Sequence, residues 1–158
     1  MKKTILTILS ALFIGVLSIS TPKQAMAHCE VPCGIYDDSV RVALIKEHIT
    51  TIEKSMNQIN ELTKSATPNY NQLIRWVMNK EEHAVKIQDI TSQYFLHQRI
   101  KLTDPNDKPA FEKYQKQLVI LHQISVYSMK CKQTADLANV KKLRELITQF
   151  ESSYFHSH

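Results

Sequence analysis

The side chains best suited to metal and redox chemistry are concentrated at residues 28–36, which read HCEVPCGIY. Within six residues, His28, Cys29 and Cys33 bring together one imidazole and two thiols. If the chain is cleaved before His28, a free amine joins the amide nitrogen of Cys29 and the two thiolates as ligands. Four such donors can close a square plane, a geometry that suits Ni(II) or Cu(II) and not zinc. The imidazole of His28 could add an axial fifth ligand, and Pro32 would shape the bend between the cysteines.

This donor set also predicts redox activity. Thiolates and an ionised amide are electron-rich and stabilise the higher oxidation state of a bound metal, so the sequence indicates a one-electron site and not a structural clip. Two alternatives stay open from the residues alone. An exported protein could use the same donors to carry copper or nickel without turnover. It could also join Cys29 and Cys33 in a disulfide, which would make it a helical interaction protein.

The segment before His28 has the features of an export signal. Lys2 and Lys3 precede an apolar stretch at residues 4–20, and Ala25-Met26-Ala27 places small residues where a signal peptidase reads them. The sequence therefore predicts a cleaved signal peptide at 1–27 and a periplasmic or extracellular protein; an uncleaved membrane anchor is the alternative. We expect a single cut both to export the chain and to free the amine of His28, with no stable membrane association afterwards.

The formal charge of the whole chain, +5 over 158 residues, is partly a property of this segment. Residues 1–27 carry three lysines and no acid, so their removal lowers the formal charge to +2. No basic block with interleaved aromatic residues follows, which argues against a nucleic-acid partner.

The rest of the chain is predicted to be helical, because residues 28–158 contain a single glycine and no strand-like alternation. Apolar residues recur at helical spacing in four segments, at about 39–64, 70–98, 110–131 and from 134 onwards. Ser39 and Thr134 are the predicted N-caps of the first and fourth helices. Helices of comparable length with short links predict an all-α, antiparallel up-and-down four-helix bundle, as one domain at 28–158. Residues 28–36 fall outside the pattern and form an irregular N-terminal metal-binding hook.

The predicted buried stripes and one cysteine complete this expectation. Cys131, apart from the hook, is predicted to be a small buried residue of the third helix. The stripes are Ile45, Ile49, Ile52, Met56 and Ile59 in the first helix; Leu73, Val77, Ala84, Ile87, Thr91 and Tyr94 in the second; Phe111, Tyr114, Leu118, Leu121 and Ile124 in the third; and Leu137, Val140, Leu143, Ile147 and Phe150 in the fourth.

Several other chemistries are excluded by missing motifs. One glycine is too few for a P-loop or a dinucleotide fingerprint. The sequence lacks His-Glu-x-x-His, and it lacks the Glu-x-x-His pairs of di-iron carboxylate bundles. It also lacks Cys-x-x-Cys-His for haem attachment.

The hook resembles that of the nickel superoxide dismutases, whose pattern is His-Cys-x-x-Pro-Cys-Gly-x-Tyr. The segments DITSQYFLHQRIK (89–101) and PAFEKY (109–114) are also similar to that family. The resemblance implies a four-helix bundle assembled as a homohexamer, with one nickel ion per subunit. It implies an oxidoreductase that converts two superoxide ions and two protons into oxygen and hydrogen peroxide.

The resemblance also assigns roles to residues. It makes His28, Cys29 and Cys33 the metal ligands, with Pro32 and Gly34 shaping the hook. Tyr36 would stand at the open face of the metal and help to admit superoxide. Tyr94 would hold Tyr36 in place by hydrogen bonding.

Two positions are expected to support the ligands from outside. Glu30 stands where some members of the family have aspartate. Some members also hold the axial histidine with a glutamate of the first helix and an arginine of the second. Here the predicted first helix has no acid before Glu47, so His83 is the candidate partner of the His28 imidazole.

Overall fold

The computed structural model describes residue 32 and residues 34–155. The predicted signal peptide, the predicted metal ligands His28, Cys29 and Cys33, and Glu30 lie outside the described residues. The helices are α1 (Asp38–Leu62), α2 (Tyr70–Asp89), α3 (Lys108–Gln133) and α4 (Leu137–Phe155), and α2 continues into a π-helical segment, Ile90–Arg99. The described part of the chain contains no β-strand. The prediction of an all-helical protein with four helices is confirmed.

Two of the predicted helix starts are wrong. α1 begins at Asp38 because the carboxylate of Asp37, and not Ser39, accepts the backbone N–H of Val40 at 3.1 Å. α4 begins at Leu137, and Asp136 accepts the backbone N–H of Ala138 at 2.9 Å. Thr134 instead ends α3. In both cases a nearby aspartate caps the helix in place of a hydroxyl, and the first shift places an acid in the first turn of α1.

The start of α3 shows the same kind of cap. Asp107 accepts the backbone N–H of Ala110 at 3.3 Å. Pro109 lies in the first turn, where its missing N–H has no intrahelical partner to lose.

Hydrogen bonds between helices show that neighbours run antiparallel. As residue numbers rise along α1, those of its partners in α2 and α4 fall; the same holds for α2 against α3. The helices therefore run up, down, up and down, with α4 back against α1. The pairs are Asp38–Arg99, His48–His83 and Ser55–Asn79 for α1 with α2, Lys46–Glu151 and Glu53–Arg144 for α1 with α4, and Lys80–Cys131 and Gln88–Ser125 for α2 with α3.

The core follows the predicted stripes most closely in α1, where all five residues are buried. In α2 the stripe is buried from Ala84 to Tyr94, whereas Leu73 and Val77 are only half-buried. In α3 the predicted residues Leu121 and Ile124 are buried, whereas Phe111, Tyr114 and Leu118 are only half-buried; Cys131 is buried as predicted. In α4 four of the five predicted residues are buried, and Leu137 is exposed. Each fully buried apolar side chain contributes about 1.5–3 kcal/mol to stability.

The core ends in an aromatic cluster where α1 begins and the π-helical segment lies. The ring of Phe95 packs edge-on against Phe150 and Tyr154, at centroid distances of 4.8 and 5.6 Å, and against Tyr94 at 5.1 Å. This end of the bundle is the one from which the hook departs. No helix within the described residues is long and apolar enough to cross a membrane.

Candidate functional site

Of the predicted hook, the structure describes residue 32 and residues 34–36, which lead into α1. Pro32 lies at a bend and is half-buried. Gly34 has φ +83°, in the left-handed region that side chains with a Cβ disfavour. Tyr36 follows and directly precedes the N-cap Asp37, with 37% of its surface exposed. Gly34 therefore turns the chain just before it delivers Tyr36 to the end of the bundle.

The π-helical segment places Tyr94 and Arg99 on the same side of their helix. They are five residues apart, a spacing that would separate them by about 140° around an α-helix of 3.6 residues per turn. In a π-helix, hydrogen bonds connect residues that are five apart, so the side chains of Tyr94 and Arg99 lie about one turn apart on the same face. The segment ends with such a bond, from the N–H of Ile100 to the carbonyl of Phe95 at 2.9 Å. The wider turn directs both side chains towards the start of α1.

The carboxylate of Asp38 accepts hydrogen bonds from both Tyr94 and Arg99. The Tyr94 hydroxyl donates to Oδ1 of Asp38 at 2.5 Å. The Arg99 guanidinium donates from Nε to Oδ1 at 2.8 Å and from Nη2 to Oδ2 at 2.8 Å. From α4, the Tyr154 hydroxyl donates to Oδ2 at 2.8 Å. We call these four residues the Asp38 cluster; its paired, charge-assisted bonds join three helices at one point.

Tyr36 lies on this cluster. Cζ of Arg99 is 4.3 Å from the centroid of the Tyr36 ring, a cation–π contact. The Tyr94 ring meets Tyr36 at a centroid distance of 5.9 Å and an interplanar angle of 77°. Arg41, one turn into α1, approaches Tyr94 with its Cζ 5.0 Å from the ring centroid. Two arginines therefore lie beside the two tyrosines that the sequence had singled out.

The protonation states in the cluster follow from its contacts. Burial alone would raise the pKa of Asp38, but the hydrogen bonds from Arg99, Tyr94 and Tyr154 outweigh it and hold the pKa below its ordinary value. Burial and the hydrogen bond to Asp38 raise the pKa of Tyr94 to about 12 and that of Tyr154 to about 12. At neutral pH the cluster thus holds one carboxylate, one guanidinium and two neutral phenols.

The structure brings together some predicted site residues and adds others. Tyr36 and Tyr94 are in contact, but through their rings, while the Tyr94 hydroxyl donates to Asp38. The prediction that Tyr94 holds Tyr36 by hydrogen bonding stays a prediction. Asp38, Arg99 and Tyr154 were missed. Asp38 was overlooked because the first helix was expected to have no acid before Glu47, and that expectation was wrong. The sequence Asp37-Asp38-Ser39 could have revealed it, since Asp37 as N-cap puts Asp38 in the first turn.

His83 lies elsewhere on the seam between α1 and α2. Its Nδ1 is 3.0 Å from Nδ1 of His48, and the two rings meet edge to face. It precedes Tyr94 by eleven residues, roughly 16 Å along the helix at 1.5 Å per residue. The prediction that it supports the His28 imidazole stays a prediction, because His28 lies outside the described residues. The pair itself had no signature in the sequence, since its members come from different helices.

Other potential ligands in the described residues are dispersed. Among them, no group of three or more His, Cys, Asp or Glu side chains could hold a metal ion. Cys131 is a free thiol, and burial raises its pKa to about 11, which makes it a poor ligand at neutral pH.

Comparison with known proteins gives one match. The family model described as nickel-containing superoxide dismutase matches residues 23–158, which include the hook and all four helices. No curated protein matches the chain. No solved structure matches it either.

Proposed function

Since the chain belongs to the nickel-containing superoxide dismutase family, we propose that it disproportionates superoxide at residues 28–36. The carrying observation is the sequence HCEVPCGIY within the matched range, directly after a predicted cleavage site. Two superoxide ions and two protons give one oxygen and one hydrogen peroxide. One superoxide is oxidised and the other reduced, so no further electron donor is needed.

The donor set fits nickel. Cleavage before His28 would provide its amine and imidazole, the amide nitrogen of Cys29 and the thiolates of Cys29 and Cys33, and these groups would hold the ion. Electron-rich nitrogen and sulfur donors of this kind suit Ni(II). Bound nickel, one ion per subunit, would supply one-electron exchange between Ni(III) and Ni(II). Pro32 and Gly34 would bend the chain around it, and Glu30 and His83 would support the ligands.

The described residues have a separate part in this proposal. Tyr36 would stand at the open face of the metal, and Arg99, whose charge is balanced by Asp38, would hold the Tyr36 ring in place. Tyr94, with its pKa raised to about 12, is a neutral phenol at physiological pH. It would therefore form the wall of the entrance and not an additional negative charge.

We further propose export through the signal peptide at 1–27 and assembly into a homohexamer. Support for assembly comes from α2, where the exposed apolar residues Tyr70, Ile74 and Met78 recur every four residues on one face. A second copy could bury this stripe. Light scattering of the purified protein would test the hexamer, and a monomer at working concentration would contradict it.

The main experiment is metal analysis of the natively purified protein together with its N-terminal sequence and its rate of superoxide consumption. We expect about one nickel per chain, a start at His28, and activity well above that of free nickel. Cys29→Ser and Cys33→Ser should abolish both nickel and activity, whereas Cys131→Ser, outside the hook, should keep both. Nickel or copper without activity would indicate a carrier. A Cys29–Cys33 disulfide in an active preparation would contradict the metal site.

A further inference from the structure

Asp38 is the point on which the surroundings of Tyr36 depend. Its carboxylate accepts hydrogen bonds from Tyr94, Arg99 and Tyr154, and both oxygens are used. The side chains of Asp38 and Arg99 are only 14% and 24% exposed. Their bidentate pairing therefore fixes the plane of the guanidinium more firmly than a surface ion pair would.

Tyr36 receives its contacts from the residues that Asp38 fixes. The guanidinium of Arg99 lies 4.3 Å from the centroid of the Tyr36 ring, and the Tyr94 ring meets it edge-on. Asp38 is separated from Tyr36 by one residue, at the first position of α1. The carboxylate of Asp38 thus orients Tyr94 and Arg99, both from the π-helical segment, against the ring of Tyr36, which lies two residues before it in the sequence.

Asp38 also decides the direction of hydrogen bonding. A tyrosine hydroxyl has one hydrogen to donate and two lone pairs that accept. Because Tyr94 gives its hydrogen to Asp38, its hydroxyl oxygen can only accept any further hydrogen bond. A neutral amide in place of the carboxylate could donate to the Tyr94 oxygen and so free the hydroxyl hydrogen, and it would leave Arg99 without its paired acceptor.

We propose that Asp38 is a positioning residue for the entrance to the metal site: it holds Tyr36 through Arg99 and Tyr94 and leaves the Tyr94 hydroxyl only an acceptor for any further hydrogen bond. This inference rests on the proposed function for its catalytic consequence. Its structural part, the dependence of Tyr36 on Asp38, stands on the contacts alone. No contact between Asp38 and the substrate is needed.

The test uses the processed chain with 3-fluorotyrosine, in which a Tyr36→Phe variant assigns the fluorine resonance of Tyr36. We expect Asp38→Asn to move this resonance towards that of free tyrosine, before and after nickel loading. In the loaded protein, kcat/KM should fall about tenfold, with the nickel content unchanged, because small displacements at a reacting centre are costly. Glu53→Gln, an acid-to-amide change on α1 that removes the ion pair to Arg144, should leave both unchanged.

Arg99→Lys provides a second variant that keeps the charge but loses the paired geometry. It should move the Tyr36 resonance in the same direction, and circular dichroism checks that each variant is folded. An unmoved Tyr36 resonance in either folded variant would overturn the inference, whatever the activity. A wild-type protein loaded with nickel but inactive would instead overturn the proposed function and leave the fluorine measurement to judge Asp38.

Discussion

The hydroxyl of Tyr94 donates to Asp38 across 2.5 Å, and the hydroxyl of Tyr154 reaches the other oxygen of the same carboxylate at 2.8 Å. Tyr94 is buried and Tyr154 is half-buried, and both phenols face a negative charge. Burial first, and then the bond to Asp38, raise the pKa of each to about 12, compared with an ordinary value of 10.0. The folded chain therefore favours the neutral phenols more than the unfolded chain does.

This predicts a loss of stability at alkaline pH. The contribution of the two phenols is fully present below about pH 10 and is lost as the pH rises through about 12. In an absorbance titration of the folded protein, two tyrosines should ionise at about pH 12. Tyr94→Phe should remove one of these steps and Asp38→Asn should bring both to lower pH. The absence of any tyrosine ionisation near pH 12 would contradict the cluster.

The His48–His83 pair predicts a loss of stability in mild acid. Burial is the largest cause that lowers the pKa of His48, followed by the charges of His83 and Lys86. Burial, followed by the charge of Lys86, also lowers the pKa of His83. The carboxylate of Glu47 acts in the opposite direction on both pKa values. The stability that the two neutral histidines contribute is thus fully present above their ordinary pKa of 6.5. It is lost as the pH falls through the lower pKa values that they have in the folded chain. Thermal unfolding between pH 7.5 and 5 measures this.

A matched pair of variants isolates the contribution of the histidines. His83→Gln should flatten the dependence of Tm on pH in this range. His122→Gln, at an exposed position on α3, should leave it as in the wild type. An equally steep acid loss in His83→Gln would show that other groups cause it.

Gly34 offers a test of the hook that leaves the bundle intact. A Cβ added at this position would meet nothing within 4 Å, so the cost of Gly34→Ala is conformational and not steric. A left-handed residue with a Cβ costs about 1–2 kcal/mol, and asparagine tolerates this region better than alanine. We expect Gly34→Ala to retain nickel more weakly than Gly34→Asn in a chelator competition, with nearly unchanged Tm. Equal retention in both variants and the wild type would contradict this role.

Phe95 should be the most sensitive position of the aromatic end of the core. It has no exposed surface and its ring contacts Tyr94, Phe150 and Tyr154. Phe95→Ala should lower the free energy of unfolding by about 3–5 kcal/mol, through lost burial and the cavity left behind. Phe155→Ala, at a position that is 43% exposed, should cost far less. Similar losses in urea unfolding would show that the two sites pack alike.

Much of the fold could be predicted because helix formation and burial are recorded locally. The five apolar residues of α1, from Ile45 to Ile59, recur at helical spacing, and all five are buried. Helix starts were less predictable, since several nearby side chains compete to cap the same turn. Asp37 caps α1 in place of Ser39, so the helix begins earlier than predicted. Asp38 therefore belongs to the first helix, although the predicted helix did not include it.

The candidate site divides in the same way. Residue types and spacing alone predicted the hook, because its candidate metal ligands are chemically distinctive and lie within six residues of one another. Only the tertiary structure could assemble the Asp38 cluster, whose members are 56, 61 and 116 residues from Asp38. The change from α- to π-helical geometry at Ile90 rotates Arg99 onto the side of Tyr94. Packing between distant helices decides that rotation, and no local periodicity records it.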